Sequence, residues 1–185
     1  MIYLLDANTL IEAKNRYYGM TICPGYWSWI LRSHGKGLLV SIETVGDELK
    51  RGNDELAQWA KHNAALFLPV SGANIQAAFV RVATHVASQT AQMKAGALDE
   101  FLGGADPWLI ATAKTLPDSV VVTHEQFNLQ MRRKFSIPNA ASTLACGGWT
   151  PLPCWATPRP TSSWQTNKHP SIDRWPRQTL HCCSK

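Results

Sequence analysis

No stretch of the chain approaches the ~18 consecutive apolar residues that a membrane span requires. The first residues carry no basic region, and the apolar run Ile2–Leu5 is too short for a leader, so no secretory signal is expected. Cysteine is scarce and badly placed for structure. There are five, Cys23, Cys146, Cys154, Cys182 and Cys183, and four of them lie in the last forty residues. An odd number with no zinc-type spacing argues against a disulfide framework and against a zinc site. No internal repeat is present. Acid is nearly missing from the last third: residues 126–185 hold eight Lys/Arg and the single acid Asp173. Residues 1–125 hold ten Lys/Arg and twelve Asp/Glu, so the pI of about 9.1 belongs to the tail and not to the body. These absences leave a soluble, cytoplasmic chain of 185 residues as the expectation, one domain long enough to bury a sizeable core.

What is present alternates. Ile2–Leu5 reads as a short buried strand, followed by a helix from Asn8 to about Tyr18. A second helix is expected over Gly25–Ser33, a strand over Gly37–Ser41 and helices over Thr44–Arg51 and Asp54–Asn63. Leu66–Val70 follows as a strand, Asn74 to about Lys94 as a long helix, and Asp106–Leu116 as another. Ser119–Thr123 (SVVVT) is a strand, and Arg133–Ile137 reads as a last short one. Strands alternating with helices argue for an α/β fold with a mainly parallel sheet.

After about Asn139 the text changes, which divides the chain into a domain, 1–139, and a tail, 140–185. Six of eleven prolines and four of eight tryptophans fall in residues 149–176, and no periodicity survives there. The tail reads as basic, Pro/Trp-rich and disordered. Its tryptophans among basic residues would also suit stacking on single-stranded nucleic acid. A third reading is a shifted reading frame: back-translated one base earlier, Ala141–Ala156 permits QHFGVRWVDPFAMLG, strand-like and then helix-like. The domain calls for one more such strand at this point.

Four acids share a setting. Asp6 follows the first strand, Glu48 lies in the helix after the second, Asp106 opens the helix DPWLIATAK, and Glu125 follows SVVVT. Ligands of an open parallel sheet bind beyond the carboxyl ends of its strands. Carboxylates gathered there would repel one another unless a cation neutralised them. All-oxygen ligation suits a hard ion such as Mg²⁺ or Mn²⁺, and two such ions can activate water against a phosphodiester. Each residue also has a plainer role. Asp6 is a candidate helix cap, and Asp106-Pro107 is a cap followed by Pro at the first helical position. Glu48 is a candidate solvated helix acid with Glu43 and Asp47 as rivals, and Glu125 is a candidate loop acid.

On these residues the chain resembles PIN-domain proteins, the metal-dependent nuclease fold of the VapC-type toxins. The resemblance covers roughly residues 1–139. It rests on DANTLIEAKNRYY, CPGYWSWI, the segment with Ser41, Val45, Glu48 and Leu49, the ADPWLIATA helix, and VVTHE. It implies a three-layer α/β/α sandwich and an acidic pocket for Mg²⁺ or Mn²⁺. Asp6, Glu48 and Asp106 match the family's metal-holding acids, and Glu125 falls at its more variable fourth acid. Asn8, Thr9 and Thr123 fall at its supporting polar positions. The implied activity is hydrolysis of RNA phosphodiesters by an activated water, with an antitoxin and a second copy of the chain as implied partners. His124 adjoins the site as a candidate phosphate contact or as a structural or solvent-facing histidine.

Two other readings remain. Asp6-Ala7-Asn8-Thr9 resembles the start of haloacid-dehalogenase-like phosphatases, but that chemistry needs a second carboxylate where Asn8 stands. The chain could instead be a PIN-like protein without activity, working by binding alone.

Overall fold

A computed structural model describes residues 1–128 and 130–144, and the backbone of residues 152 and 153, of the 185-residue chain. It is a three-layer α/β/α sandwich around a parallel sheet. The strands are β1 (Ile2–Leu5), β2 (Leu39–Ile42), β3 (Phe67–Leu68), β4 (Ser119–Thr123) and β5 (Leu152–Pro153), in the order β3-β2-β1-β4-β5, every pair parallel. Tyr3 faces Leu39 on one side and Val120 on the other. The order reverses between β1 and β4. Crossovers leave in opposite directions there, and a crevice opens at the carboxyl ends of these two strands.

The strands are apolar because helices cover them. All four residues of β2 are buried, the pattern of a parallel strand shielded on both faces. Its one polar side chain, Ser41, donates from Oγ to the Leu5 carbonyl at 2.7 Å, which removes the cost of a buried hydroxyl.

The helices are α1 (Ala7–Glu12), which runs on through a π-turn at Ala13–Tyr17, α2 (Pro24–Gly35), α3 (Glu43–Lys50) and α4 (Glu55–His62). Then come α5 (Ala73–Ala87), α6 (Ala97–Leu102), α7 (Asp106–Thr115) and α8 (Ile137–Thr143). α4 begins at Asp54, whose carboxylate accepts from the Ala57 N–H at 2.9 Å. α5 buries Ala78, Val82 and Val86, a stripe at intervals of four. It packs on α7, where Phe79 stacks on Trp108 with ring centroids 3.9 Å apart. α7 buries five residues in a row, Leu109–Ala113, because other elements close round it on nearly every side. α3 approaches β3 so closely that Gly46 is required: a Cβ there would stand 2.9 Å from Phe67 Cγ.

Several expectations are corrected. The long helix ends at Ala87, not Lys94. Ser88 and Thr90 turn their hydroxyls back onto the carbonyls of His85 and Ala87, which competes with helix propagation. Arg133–Ile137 is not a strand. Ser136 is the N-cap of α8, accepting from the Asn139 N–H, and Pro138 sits in the first turn, where its missing N–H costs nothing. α6 was not anticipated, since ALDEFL is too short to display a period. The Asn139 boundary falls inside α8, which runs to Thr143, and β5 extends the sheet at Leu152–Pro153. The other readings of the tail lie outside the described residues. Among the described residues, no helix is long and apolar enough to cross a membrane.

Candidate acidic pocket

β1 ends at Asp6 because the chain must turn into α1 there. The turn is extended backbone, φ −77° and ψ 155°. The Asp6 side chain is 1% exposed and lies at the point where the strand order reverses. Thr123, the last residue of β4, donates from Oγ1 to Asp6 Oδ2 at 2.8 Å. The same Oγ1 accepts from the Glu125 N–H at 3.1 Å, so Thr123 orients Asp6 and fixes the loop after β4. The Asp6 carboxyl is raised on balance from 3.8 to about 6, first by burial and then by the Glu125 charge. The Thr123 bond and the N–H groups of Ala7 and Asn8 pull it back part of the way.

Asp106 opens α7, with Ala105 as the cap and no side-chain capping bond. The capping role open to Asp106 in the sequence is therefore not the one it plays. It is raised further, to about 8, by burial first and then by the charges of Asp6, Glu125 and Glu48, with Lys134 opposing. Three acids from three distant segments thus act on a fourth.

Glu48 and Asp106 line one cavity of about 120 Å³, together with Glu100 and Lys134. Glu48 Oε1 accepts from the Ala105 N–H at 2.9 Å, which ties α3 to the start of α7. Its rivals are otherwise engaged. Asp47 is exposed and pairs with Lys50 at 3.1 Å, and Glu43 accepts from the Val70 N–H at 2.9 Å. Glu125 has both oxygens occupied: Oε1 by Lys134 Nζ at 2.5 Å, Oε2 by the Ile137 N–H at 2.8 Å. Of the smaller polar groups, Thr9 is buried and donates to the Val122 carbonyl at 2.9 Å, clamping α1 to β4. Asn8 is exposed. His124 is half-buried next to Thr123.

The chemistry of this donor set fits a hard divalent cation. It is all oxygen, and burial together with neighbouring acid charge holds protons on Asp6 and Asp106, as expected of carboxylates gathered without a counter-charge. Asp6, Asp106 and Glu48 are the residues that would hold such an ion. Among the described residues, no three of His, Cys, Asp and Glu already stand as a preformed ligand group. Lys134 and Glu100 also line the pocket. Their signal in the sequence is faint: Lys134 closes the basic run Arg132-Arg133-Lys134 shortly after the fourth acid.

No curated protein and no solved structure gives a significant match to this chain. One family model does, over residues 3–148, so that it spans the whole pocket and continues past α8. The chain belongs to the family described as Domain of unknown function (DUF4411).

Proposed function

We propose that the protein is a metal-dependent endoribonuclease of the PIN type, using Mg²⁺ or Mn²⁺. The observation that carries this reading is the convergence of Asp6, Glu48 and Asp106, from β1, α3 and α7, at the carboxyl edge where the strand order reverses. An ion bound there supplies activation of a water and neutralisation of charge on the phosphodiester oxygens. The chain's own residues do the rest. Thr123 holds Asp6 in one orientation. Glu48 fixes the start of α7 and so the position of Asp106. Lys134 offsets part of the negative field around Asp106. A role as the toxin of a toxin–antitoxin pair follows from the same resemblance. Its antitoxin would be a protein that covers the pocket.

The test is incubation of the purified chain with structured RNA in Mn²⁺ or Mg²⁺, with EDTA as control and Asp6→Asn alongside. Metal-dependent cleavage that the variant loses while remaining folded supports the reading. No cleavage by a folded wild type in either metal sinks an autonomous nuclease. One observation favours a second reading, a PIN-like protein that binds without cutting: Glu125 spends both oxygens on Lys134 and Ile137. RNA binding without cleavage would support it.

A further inference from the structure

The acidic pocket creates a difficulty for the proposed substrate. A cluster of carboxylates repels a phosphate strand, so affinity must come from positive charge beside the cluster and not within it. A second cavity of about 480 Å³ adjoins the first and shares Ala97, Glu100 and Lys134 with it. Its walls carry Lys94, Arg133 and Lys134 against one acid, Glu100.

This cleft is built by two segments that the fold fastens together. The Lys94 N–H donates to the Arg132 carbonyl at 2.7 Å, which joins the loop before α6 to the loop after β4. Phe135 packs on Phe101 of α6, ring centroids 5.7 Å apart, and both are buried. Lys134 is held to Glu125 and Glu125 to the Ile137 N–H. The backbone that presents the three basic side chains is thus anchored on both walls. The ends of Lys94 and Arg133 are exposed, and among the described residues neither enters an ion pair. Two unpaired cations on a fixed concave surface leave charge for a ligand to meet. The cleft's volume is within the ~300–1,000 Å³ of ligand clefts. That suits a segment of one strand rather than a duplex.

We infer that the cleft between Lys94 and Arg133 is a phosphate-backbone subsite for single-stranded RNA, leading the strand past Lys134 into the acidic pocket. This rests on the nuclease reading for the strand's destination, but its own claim is about binding. Lys94 and Arg133 would meet phosphates next to the one that reaches Asp106, without base readout. Lys134, shared by both cavities, would mark the crossing from the basic wall to the acidic one.

The test is fluorescence anisotropy with a labelled single-stranded RNA in EDTA, so that no cleavage intervenes, over a series of salt concentrations. The variants are Lys94→Glu with Arg133→Glu, and Lys94→Gln with Arg133→Gln in case charge reversal disturbs folding. Circular dichroism melts check all proteins. Wild type should bind, and the double variants should bind at least ~10-fold more weakly at low salt. Their log–log salt slope should be shallower by about 1.4, the value for two lost phosphate contacts on a single strand. Equal affinity and slope in wild type and variants overturns the subsite, as does absence of binding by wild type. Equal affinity for poly-glutamate overturns RNA as the occupant. Failure of the two readings is distinguishable. Binding that depends on Lys94 and Arg133, with no cleavage in Mn²⁺, keeps the subsite and sinks the nuclease. Cleavage that is indifferent to both residues does the reverse.

Discussion

Asp106→Asn should make the metal-free protein more stable, and only at high pH. In the fold the Asp106 carboxyl titrates at about 8 against an ordinary value of 3.8. The sign follows from which state holds the proton. Between pH 4 and 8 the native state keeps a proton that the unfolded state has released, so stability falls as pH rises through that window and levels off above it. At ~1.4 kcal/mol per pH unit the displacement amounts to roughly 6 kcal/mol. Asp106 is only half-buried and shares its strain with Asp6, so removing one charge should return on the order of 3 kcal/mol at pH 8.5. For a chain of this size that is roughly 6–12 °C in Tm. At pH 4.5 both proteins are neutral at this position in the fold, and the gain should nearly vanish. Asn keeps the shape of Asp, and Ala105, not Asp106, caps α7, so helix loss should not obscure the result. Urea denaturation in EDTA, followed by circular dichroism at the two pH values, measures it. A gain equal at pH 4.5 and 8.5, or a loss at 8.5, would refute the argument that burial and the neighbouring acids hold a proton on Asp106 in the fold.

Other expectations follow from the same contacts. Mn²⁺ at 100 times its dissociation constant should stabilise the wild type by ~2.7 kcal/mol in thermal melts, and Asp6→Asn should abolish the effect; an unchanged shift in the variant would remove Asp6 from the ligand set. Thr123→Val takes away the hydroxyl that serves Asp6 and the Glu125 N–H, and should cost about 1–3 kcal/mol in urea titrations at pH 7. A fully neutral outcome would mean that water replaces the hydroxyl without penalty. Gly46→Ala forces a methyl group toward the Phe67 ring. It should destabilise by about 1–3 kcal/mol, and a gain in Tm would show that α3 can move away from β3.

Much of this pocket was readable before any coordinate. Asp6 interrupts an apolar strand, and an acid after a buried run is costly unless something uses it. The alternation of IYLL, LLVS and SVVVT with helical stretches set the α/β class, because buried parallel strands are continuous apolar runs joined by helices. The local text could not separate Glu48 from Asp47, adjacent acids on one helix. Only the approach of the Ala105 N–H to Glu48, against the solvent-facing pair of Asp47 with Lys50, decided between them. Nor could it place Lys134, whose function depends on a loop returning across α6. Arg133–Ile137 read as a strand because its apolar residues do not reveal whether a partner strand is within reach. Ser136 and Pro138 carry the opposite, helix-starting signal.

The division has a physical basis. Whether a residue is buried in a strand or helix depends on spacing along the chain, and spacing is written in the sequence. Which charges meet depends on crossovers that bring residue 6 beside residue 123 and residue 48 beside residue 105. These distances in sequence carry no local signal. The chain by itself therefore determined most of the elements, the mainly parallel sheet and the acids that follow β1 and β4. The tertiary structure decided that burial, with the charges of Asp6, Glu125 and Glu48, holds the proton on Asp106, that Glu125 is anchored by Lys134, and that a basic cleft opens beside them.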